Sequence, residues 1–449
     1  MFTTIRDLNI TAANQASADA CALGMENYMR RRIDVLPNVL ASLEHDPECA
    51  LAHAVLGLLM HGAKHKALKP KVDEALTNAK KHGHSLSERE QQYVNALEHV
   101  AKGQLYDAVT CYESILENNP TDGFALNVLQ AELFWLGDMS RALAASSRVE
   151  PHWHAGLDGY SEFLATYAFD LEEQGHLNKA ETVGRKAVSL NPENIWATHA
   201  VTHVLYMQGR SKEGIEWIGG LENGWDELNQ IKFHLWWHKC LFQLEHSDHD
   251  AVLENYDNHV RNREHPLVKA MPDLYIDLQN GASMLWRLEL AGVAVGNRWL
   301  EMAELVRLRT DDHANPFTSA HFAVILSAVG DYDSCAKLLE SMQDFAASSQ
   351  STVAPRYAKA GIPAAKAAIA HRQGNYQTVV NELMPVRHDL WIMGGSHAQQ
   401  DLFFQILVHA AAKLGDKNTV TQLMNEIEHI GFVEPAQRIG YELSFAELN

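Results

Sequence analysis

The sequence is poor in the features that build disulfide frameworks, thiolate zinc sites and membrane spans. Its five cysteines are scattered over 449 residues, and none belongs to a CxxC pair. An odd, dispersed set of this kind indicates a reducing, intracellular compartment. The chain has no apolar run approaching about 18 residues, and no basic segment followed by an apolar one at its N-terminus. We therefore expect no membrane span and no signal peptide, and we predict a cytoplasmic protein.

Basic residues are also scarce. Lysine and arginine number 37 against 57 aspartates and glutamates, which gives a formal net charge of −20. Nucleic acids and anionic membranes both require a basic surface, so the composition predicts neither as a partner. The hydrophobic fraction of 46% is ordinary for a folded protein and allows a large core. Histidine is the residue in excess, with 25 copies.

What the sequence does contain is a repeated turn pattern, in which a glycine is followed five residues later by a small residue. The pattern occurs at Gly103, Gly137, Gly175, Gly209 and Gly330, and more weakly at Gly374 and Gly415. Successive glycines from Gly103 to Gly209 lie 34, 38 and 34 residues apart. Glycine accepts a positive φ at a helix end, and the period is that of a tetratricopeptide repeat. We predict an all-α fold, a right-handed TPR-like α-solenoid of antiparallel helical hairpins whose curvature could enclose a central pocket.

The repeat signal varies along the chain. We interpret residues 1–20 as a polar N-terminal leader and residues 21–449 as a single continuous repeat domain. The clearest repeats cover about 88–260. Irregular hairpins follow over 261–315, where the glycine signal lapses, and regular repeats resume over 316–449.

Two histidine pairs occupy the same position in neighbouring repeats. His199 and His203 form one i, i+4 pair and His234 and His238 form the other, offset by 35 residues. On a helix, the two imidazoles of such a pair share one face. An offset of about one repeat places the pairs at matching positions on adjacent hairpins. We therefore predict that the four histidines form a catalytic or metal-binding site.

The helix predicted over 195–207 contains no charged residue, which indicates that it is buried on all sides. A buried neutral imidazole needs partners for both ring nitrogens, since an unsatisfied polar group costs roughly 1–3 kcal/mol. Thr198, Thr202 or Tyr206 could supply ordinary hydrogen bonds. A divalent metal such as zinc is the second interpretation, because HxxxH on a helix offers two ligands. The third is a polar pocket for an organic ligand, with the histidines as donors or general bases.

The sequence has no HExxH motif, and no carboxylate lies between the histidines of either pair. A metal-activated water would therefore take its general base from another part of the chain. Asp277, Asp312 and Glu162 are the candidates.

Several further motifs together resemble one known family. They are Ser87-Glu-Arg-Glu-Gln-Gln92, Thr198-His-Ala-Val-Thr-His203, His234-Leu-Trp-Trp-His238, Gly292-Val-Ala-Val-Gly-Asn-Arg-Trp299, Ala320-His-Phe322 and Gly394-Gly-Ser-His-Ala-Gln-Gln-Asp401. On these residues the chain resembles the tetratricopeptide repeat protein 38 family, over nearly its whole length. The resemblance implies a TPR-like helical fold and transfers no biochemical activity.

The family pattern also marks individual residues of this chain. They are His199, His203, His234, His238, Arg298, Trp299, His321, Gly394, Gly395, Ser396 and Asp401. This chain departs from the pattern at His397, where the family often has an Asn-like residue, and at Gln400, where relatives tend to carry Arg. We take as candidate ligand-binding residues Trp196, Trp237, Asp277, Arg298, His313, His321, Ser396, His397 and Asp401.

Three of these candidate positions have an ordinary structural alternative. His313 could contribute to a site or be a solvated loop residue. Ser396, which follows two glycines, could offer N–H groups to a carboxylate or phosphate, or simply cap a helix. Arg298 beside Trp299 could anchor an anion, or be a surface arginine over a core tryptophan.

The functional prediction follows from the enclosure of these residues. Ordinary repeat proteins bind extended peptides through exposed side chains, whereas enclosed histidines favour a small-molecule ligand or substrate. We predict a soluble intracellular pocket protein, leaning towards an enzyme, and metal-dependent hydrolysis is the simplest reaction class. The alternative is a non-catalytic TPR scaffold that binds a protein or peptide partner.

Overall fold

The computed structural model describes residues 1–430, 438–446 and 448, and it is almost entirely helical. Within these residues the strands are limited to one short antiparallel pair, Phe2–Thr3 (β1) and Asn9–Ile10 (β2). The predicted all-α fold is confirmed. No helix in the described part of the chain has both the length and the apolar character that a membrane span requires.

The helices follow one another with short connections. The first thirteen are α1 (Gln15–Met29), α2 (Val35–His45), α3 (Ala50–Gly62), α4 (Lys69–His82), α5 (Glu88–Ala101), α6 (Leu105–Asn118), α7 (Gly123–Trp135), α8 (Met139–Val149), α9 (Tyr160–Glu173), α10 (Leu177–Leu190), α11 (Ile195–Met207), α12 (Ser211–Gly219) and α13 (Ile231–Leu244). The remainder are α14 (His249–Asn255), α15 (Pro266–Ala270), α16 (Tyr275–Leu290), α17 (Arg298–Val306), α18 (Pro316–Ala328), α19 (Tyr332–Ser348), α20 (Ala354–Arg356), α21 (Ile362–Arg372), α22 (Tyr376–Leu383), α23 (His397–Lys413), α24 (Lys417–Ile430) and α25 (Ile439–Ala446).

The glycine turns join these helices as the repeat pattern predicts. All seven turn glycines identified above have a left-handed φ, between 66° and 77°. Each lies in a three-residue connection between two helices. At Gly103, for example, the N–H donates to the carbonyl of Val100 at 2.9 Å and closes the end of α5. Only glycine adopts this conformation without strain, which is why the turns are visible in the sequence. The TPR-like hairpins are therefore confirmed.

Contacts between Cα atoms group the chain into two compact units. The first contains Met1–Val201, Leu221–Ile231 and Gln350–Thr352. The second contains Thr202–Gly220, Lys232–Ser349 and Val353–Asn449. The division falls inside α11, between Val201 and Thr202. A single continuous repeat domain over 21–449 stays a prediction.

In the first unit the N-terminal segment is more structured than a polar leader. Helix α1 already begins at Gln15, after an N-cap from Asn14. Thr11 donates from its backbone N–H and its hydroxyl to the carboxylate of Glu90, at 2.6 and 2.8 Å. Glu90 also belongs to the capping box that Ser87 forms at the start of α5. These bonds hold the segment against α5.

A buried carboxylate joins two of the hairpins of the first unit. Asp122 caps α7 by accepting from the N–H of Ala125 at 3.0 Å. It also accepts from the hydroxyl of Tyr93 at 2.8 Å and from Nε of Arg89 at 2.6 Å, both on α5. Because each oxygen is bonded, the charge is tolerated in the interior.

In the second unit, α16 has a central position. It packs against α18, α23 and α25, while α21 packs against both α18 and α23. Most side chains of α16 from Asp277 to Leu288 are buried. Any polar side chain on this helix must therefore find its partners inside the protein.

The small residue after each turn predicts a testable packing constraint. In α12, a Cβ atom at Gly214 would overlap the buried ring of Phe242, while one at Gly219 would meet nothing within 4 Å. We expect Gly214→Ala to lower the free energy of unfolding by about 1–3 kcal/mol through overpacking. Urea denaturation of the purified variant measures this change.

Gly219→Ala is the matched control in the same helix. It should leave stability unchanged or raise it by a few tenths of a kcal/mol, because alanine restricts the unfolded chain. Equal stabilities for the two variants would contradict the close approach of α12 to Phe242.

Candidate functional site

Helix α11 carries the first histidine pair through the interior. It begins after Asn194, whose side-chain oxygen accepts from the N–H of Ala197 at 3.0 Å. Every residue from Ile195 to Met207 is buried except Trp196, which is half-buried. The prediction that this uncharged helix is buried is confirmed. His199 and His203 lie one turn apart on the same face of the helix.

Helix α13 carries the second pair beside a tryptophan. His234 and His238 are 3% and 0% exposed, and Trp237 is fully buried. The indole stacks on the ring of His234, with centroids 5.1 Å apart and planes 14° apart. It meets the ring of His238 edge-on at 4.8 Å. Trp237 therefore fixes the orientation of both imidazoles.

Three of the predicted histidines come together within the second unit. We call His203, His234 and His238 the histidine cluster. Each offers a ring nitrogen, and these atoms lie within 4.8 Å of one another. The Nε2 atoms of His234 and His238 are 3.2 Å apart, and the rings of His203 and His238 have centroids 4.6 Å apart. Two helices that are separate in sequence thus present their histidines to one point.

The tautomer of His234 follows from its second contact. Nδ1 of His234 lies 3.0 Å from the side-chain oxygen of Asn280 on α16. Because a carbonyl oxygen only accepts, Nδ1 must carry the hydrogen, and Nε2 is the unprotonated nitrogen. Asn280 is 1% exposed. The sequence carries no signal for this residue, since its role depends on a partner 46 residues away.

Burial keeps two of the cluster histidines uncharged. Burial and, to a smaller extent, the nearby His203 lower the pKa of His234 to about 3, against the opposing effect of the hydrogen bond to Asn280. The pKa of His238 is well below its usual value, first because of burial and then because of the two neighbouring histidines. Both imidazoles are therefore neutral at physiological pH. The neutral form is the one that binds metal ions.

A polar stripe runs along α16 next to this cluster. We define it as Asp277, Gln279, Asn280, Ser283 and Arg287, all of which are buried. Neither carboxyl oxygen of Asp277 makes a hydrogen bond to a described residue. Burial raises the pKa of Asp277 to about 7, against the opposing charge of Arg261. The predicted site residue Asp277 is thus an enclosed carboxyl group that can gain or lose a proton near neutral pH.

The other end of the stripe is held by a hydrogen-bond network around Asp401. Arg287 bonds to the carbonyl of Ser283 at 3.3 Å and to Asp401 at 3.3 Å. Asp401 also accepts from the hydroxyl of Tyr441 at 2.6 Å and from the amide of Gln405 at 2.6 Å. Asp401, predicted as a ligand-binding residue, therefore joins α16, α23 and α25.

His321 is buried in the second unit but has its own partners. Its Nδ1 donates to the carbonyl of Phe317, one turn earlier in α18, at 2.9 Å. The ring packs between Phe317 and Phe403. Burial lowers its pKa to about 4. These contacts are those of an ordinary core histidine.

His313 lies outside the cluster as well. Its Nε2 is 2.8 Å from the hydroxyl of Ser341, and its ring stacks on Phe345 at 4.7 Å. It is half-buried. These contacts attach the connection before α18 to α19.

At the start of α17, Arg298 is paired with an acidic side chain at the surface. Its Nε and Nη2 bond to the carboxylate of Asp257 at 2.8 and 2.6 Å. Trp299 is buried and donates from its indole N–H to Glu289 at 3.1 Å. Arg298 is thus a surface arginine paired with an acid next to a core tryptophan.

At the start of α23 the structure shows a complete N-cap. Ser396 accepts from the N–H of Gln399, whose side chain in turn accepts from the N–H of Ser396 at 3.0 Å. His397 is the first residue of the helix and is half-buried. In the first unit, Trp196 lies under the guanidinium of Arg31 at 4.4 Å. A ligand-binding role for Ser396, His397 or Trp196 stays a prediction.

Comparison with known proteins assigns neither a family nor a function to the chain. No protein-family model matches it. Human IFIT1 in complex with m7Gppp-AAAA is 14% identical, with a TM-score of 0.41, over 94% of this chain and 96% of that one. Yeast Tom70 is 13% identical, with a TM-score of 0.37, over 96% and 87%. PPR10 from maize is 13% identical, with a TM-score of 0.28, over 97% and 68%. Scores this low decide nothing about function, and membership of the tetratricopeptide repeat protein 38 family stays a prediction.

The buried carboxyl of Asp277 predicts a pH-dependent stability. Since burial raises its pKa to about 7, the folded protein keeps a proton that the unfolded chain releases between about pH 4 and pH 7. Stability is then lost as the pH rises through this window. In metal-free buffer, the free energy of unfolding of Asp277→Asn, relative to that of the wild type, should increase by as much as about 4 kcal/mol between pH 4 and pH 8. Urea denaturation across this range measures the difference.

An exposed carboxylate provides the control. Asp333→Asn also removes one acidic group from the second unit, at the exposed first turn of α19. Its stability difference from the wild type should change by less than about 0.5 kcal/mol over the same range. If the difference in unfolding free energy between Asp277→Asn and the wild type stayed constant over this pH range, the carboxyl group of Asp277 would be solvated.

Proposed function

We propose that the protein binds a divalent transition metal ion such as zinc on the histidine cluster. The observation that carries the proposal is the distance of 3.2 Å between the Nε2 atoms of His234 and His238. Nitrogen ligands about 2.0–2.1 Å from a tetrahedral zinc ion lie about 3.3 Å from each other. The two imidazoles therefore already have the separation of two zinc ligands.

The surroundings support an ion at this position. Asn280 fixes the tautomer of His234, as the outer partners of metal-ligating histidines usually do. Trp237 fixes the planes of two of the rings. All three cluster histidines are at most 3% exposed, and a low-dielectric surrounding strengthens binding of a charged ion by oriented ligands.

Three histidines leave one position of a tetrahedral ion open. A fourth protein ligand in that position would give a structural ion. A water molecule in that position would instead give a catalytic ion.

If the ion is catalytic, we infer that the protein catalyses hydrolysis by metal-bound water. Asp277 is the general base that we propose for it. It lies one turn before Asn280 on α16, the helix that contacts the cluster. Its raised pKa suits proton transfer near neutral pH.

A scaffold that binds a protein or peptide partner is the second candidate function. Helices α1 and α2 pack together and expose Leu23, Leu36 and Leu40 by 38–42%. Exposed apolar side chains that are neighbours mark interaction surfaces. The formal net charge of −20 favours a basic partner.

Metal content tests the first candidate. Protein purified without a histidine tag and without chelators should contain about one ion per chain by plasma mass spectrometry. After chelation, added zinc should restore stability by about 2.7 kcal/mol at a free concentration about 100-fold above its Kd. A His234→Gln, His238→Gln double variant should lose both the ion and the stabilisation, because only His203 of the cluster then remains as a ligand.

His321→Gln is the matched control, since it also replaces a buried histidine of the second unit. It should lose stability but keep the ion. A wild-type protein that neither contains metal nor is stabilised by zinc would exclude the metal site and favour the scaffold.

A further inference from the structure

Two of the five cysteines lie side by side in the first unit. Cys21 is in the middle of α1, and Cys49 is the N-cap residue of α3. The thiol of Cys21 is within hydrogen-bond distance of the sulfur of Cys49. The two residues are 0% and 1% exposed. Two thiols from different helices are thus in direct contact in the interior.

The packing of three helices holds this pair in place. Helices α1, α2 and α3 pack against one another. Ser17, one turn before Cys21 on α1, donates to the carbonyl of Ser42 on α2 at 2.9 Å, and the two hydroxyls are 3.0 Å apart. Both hydroxyls also lie within hydrogen-bond distance of the sulfur of Cys49. The two thiols therefore meet at a fixed point between the helices.

The two thiols differ in acidity. The hydrogen bond from Cys21 lowers the pKa of Cys49 to about 7, against the opposing effect of burial. Cys49 also lies at the N-terminus of α3, where the helix dipole favours a negative charge. The same hydrogen bond, together with burial, raises the pKa of Cys21. Since the thiolate is the nucleophilic form of cysteine, Cys49 is the residue that reacts first.

A buried cysteine is most often just a small apolar residue. Cys111, Cys240 and Cys335 fit that description, because they are buried and burial raises the pKa of each. Cys49 is different, since its pKa is lowered and a second thiol touches its sulfur. The purely apolar explanation accounts for neither property.

We propose that Cys21 and Cys49 form a reversible disulfide when the protein is exposed to a hydroperoxide. The Cys49 thiolate attacks the peroxide: an S–O bond forms, the O–O bond breaks, and the leaving oxygen takes up the proton that Cys49 gave up. Cys21 then attacks the sulfur of the resulting sulfenic acid. The S–S bond forms, the S–O bond breaks, and water leaves with the proton of Cys21. The thiols lose two electrons, which reduce the peroxide.

The disulfide joins α1 to the start of α3 and encloses α2 in a covalent loop. Exchange with a dithiol restores both thiols, and transient disulfides of this kind are those found in reducing compartments. The site belongs to the first unit and does not depend on the proposed metal site.

A non-helical segment before α1 covers the pair. The thiol of Cys49 contacts the carbonyl of Thr11 in this segment at 3.8 Å. Hydrogen peroxide is close to water in size, so brief local opening of the segment is sufficient for it to reach the sulfur.

Peptide mapping of the full chain tests this proposal. Reduced protein is treated with hydrogen peroxide, unfolded in the presence of an alkylating reagent and digested with trypsin. Cleavage after arginine and lysine places Cys21 on peptide 7–30 and Cys49 on peptide 33–64. We expect these two peptides to be linked in the main oxidised product and to separate after treatment with dithiothreitol. The other three cysteines should be alkylated. Absence of the linked peptides, or linkage through another cysteine, would overturn the proposal.

Cys21→Ser distinguishes a reacting pair from a single reactive thiol. It removes the second thiol, so Cys49 should stop at the sulfenic acid, and labelling by dimedone should rise at least about fivefold over the wild type. Cys111→Ser is the matched control, since it removes another buried cysteine of the first unit; it should form the disulfide as the wild type does. Equal dimedone labelling of Cys49 in Cys21→Ser and the wild type would contradict the role of Cys21.

Discussion

The second unit is arranged around the need to satisfy polar groups inside a helical core. In an α-helix the backbone N–H and C=O groups bond to each other, so a buried histidine finds most of its partners among other side chains. His234 shows the consequence: Asn280 occupies one ring nitrogen, and His238 lies next to the other. This requirement positions α13 against α16. It also explains why the imidazoles have fixed orientations and are neutral.

Helix α16 makes polar contacts with other helices of the second unit as well. Gln279 donates to Thr318 on α18 at 2.9 Å, and Arg287 reaches Asp401 on α23. Ordinary helical hairpins join their neighbours through apolar side chains. Here a helix interior that could have been leucine and alanine carries amides, a carboxyl group and a guanidinium, which cost stability unless they are paired. Asp277, whose oxygens have no described hydrogen-bond partner, is the position at which that cost is greatest. A function is the simplest reason for retaining it.

The repeat architecture explains how two distant segments produce one cluster. Each hairpin turns at a left-handed glycine after a nearly constant number of residues, so equivalent positions of consecutive hairpins face the same side. His203 and His238 are such equivalents, and their rings are in contact. A repeat fold can therefore assemble a site from one short motif used twice, without a special loop.

The sequence by itself determined the helical fold, the turns and the burial of α11, because these depend on short-range effects. Glycine has conformations that other residues lack, and a helix without charged residues must be covered on all sides. It also indicated which histidines share a face. Only the tertiary structure decided that Asn280 orients His234, that Asp401 bonds to side chains of two other helices, and that Ser396 is an N-cap. Asn280 lies 46 residues from His234 and Tyr441 lies 40 residues from Asp401, and the packing of helices brings such distant residues together. The division into two units was likewise invisible in the sequence, since it falls within one uninterrupted helix.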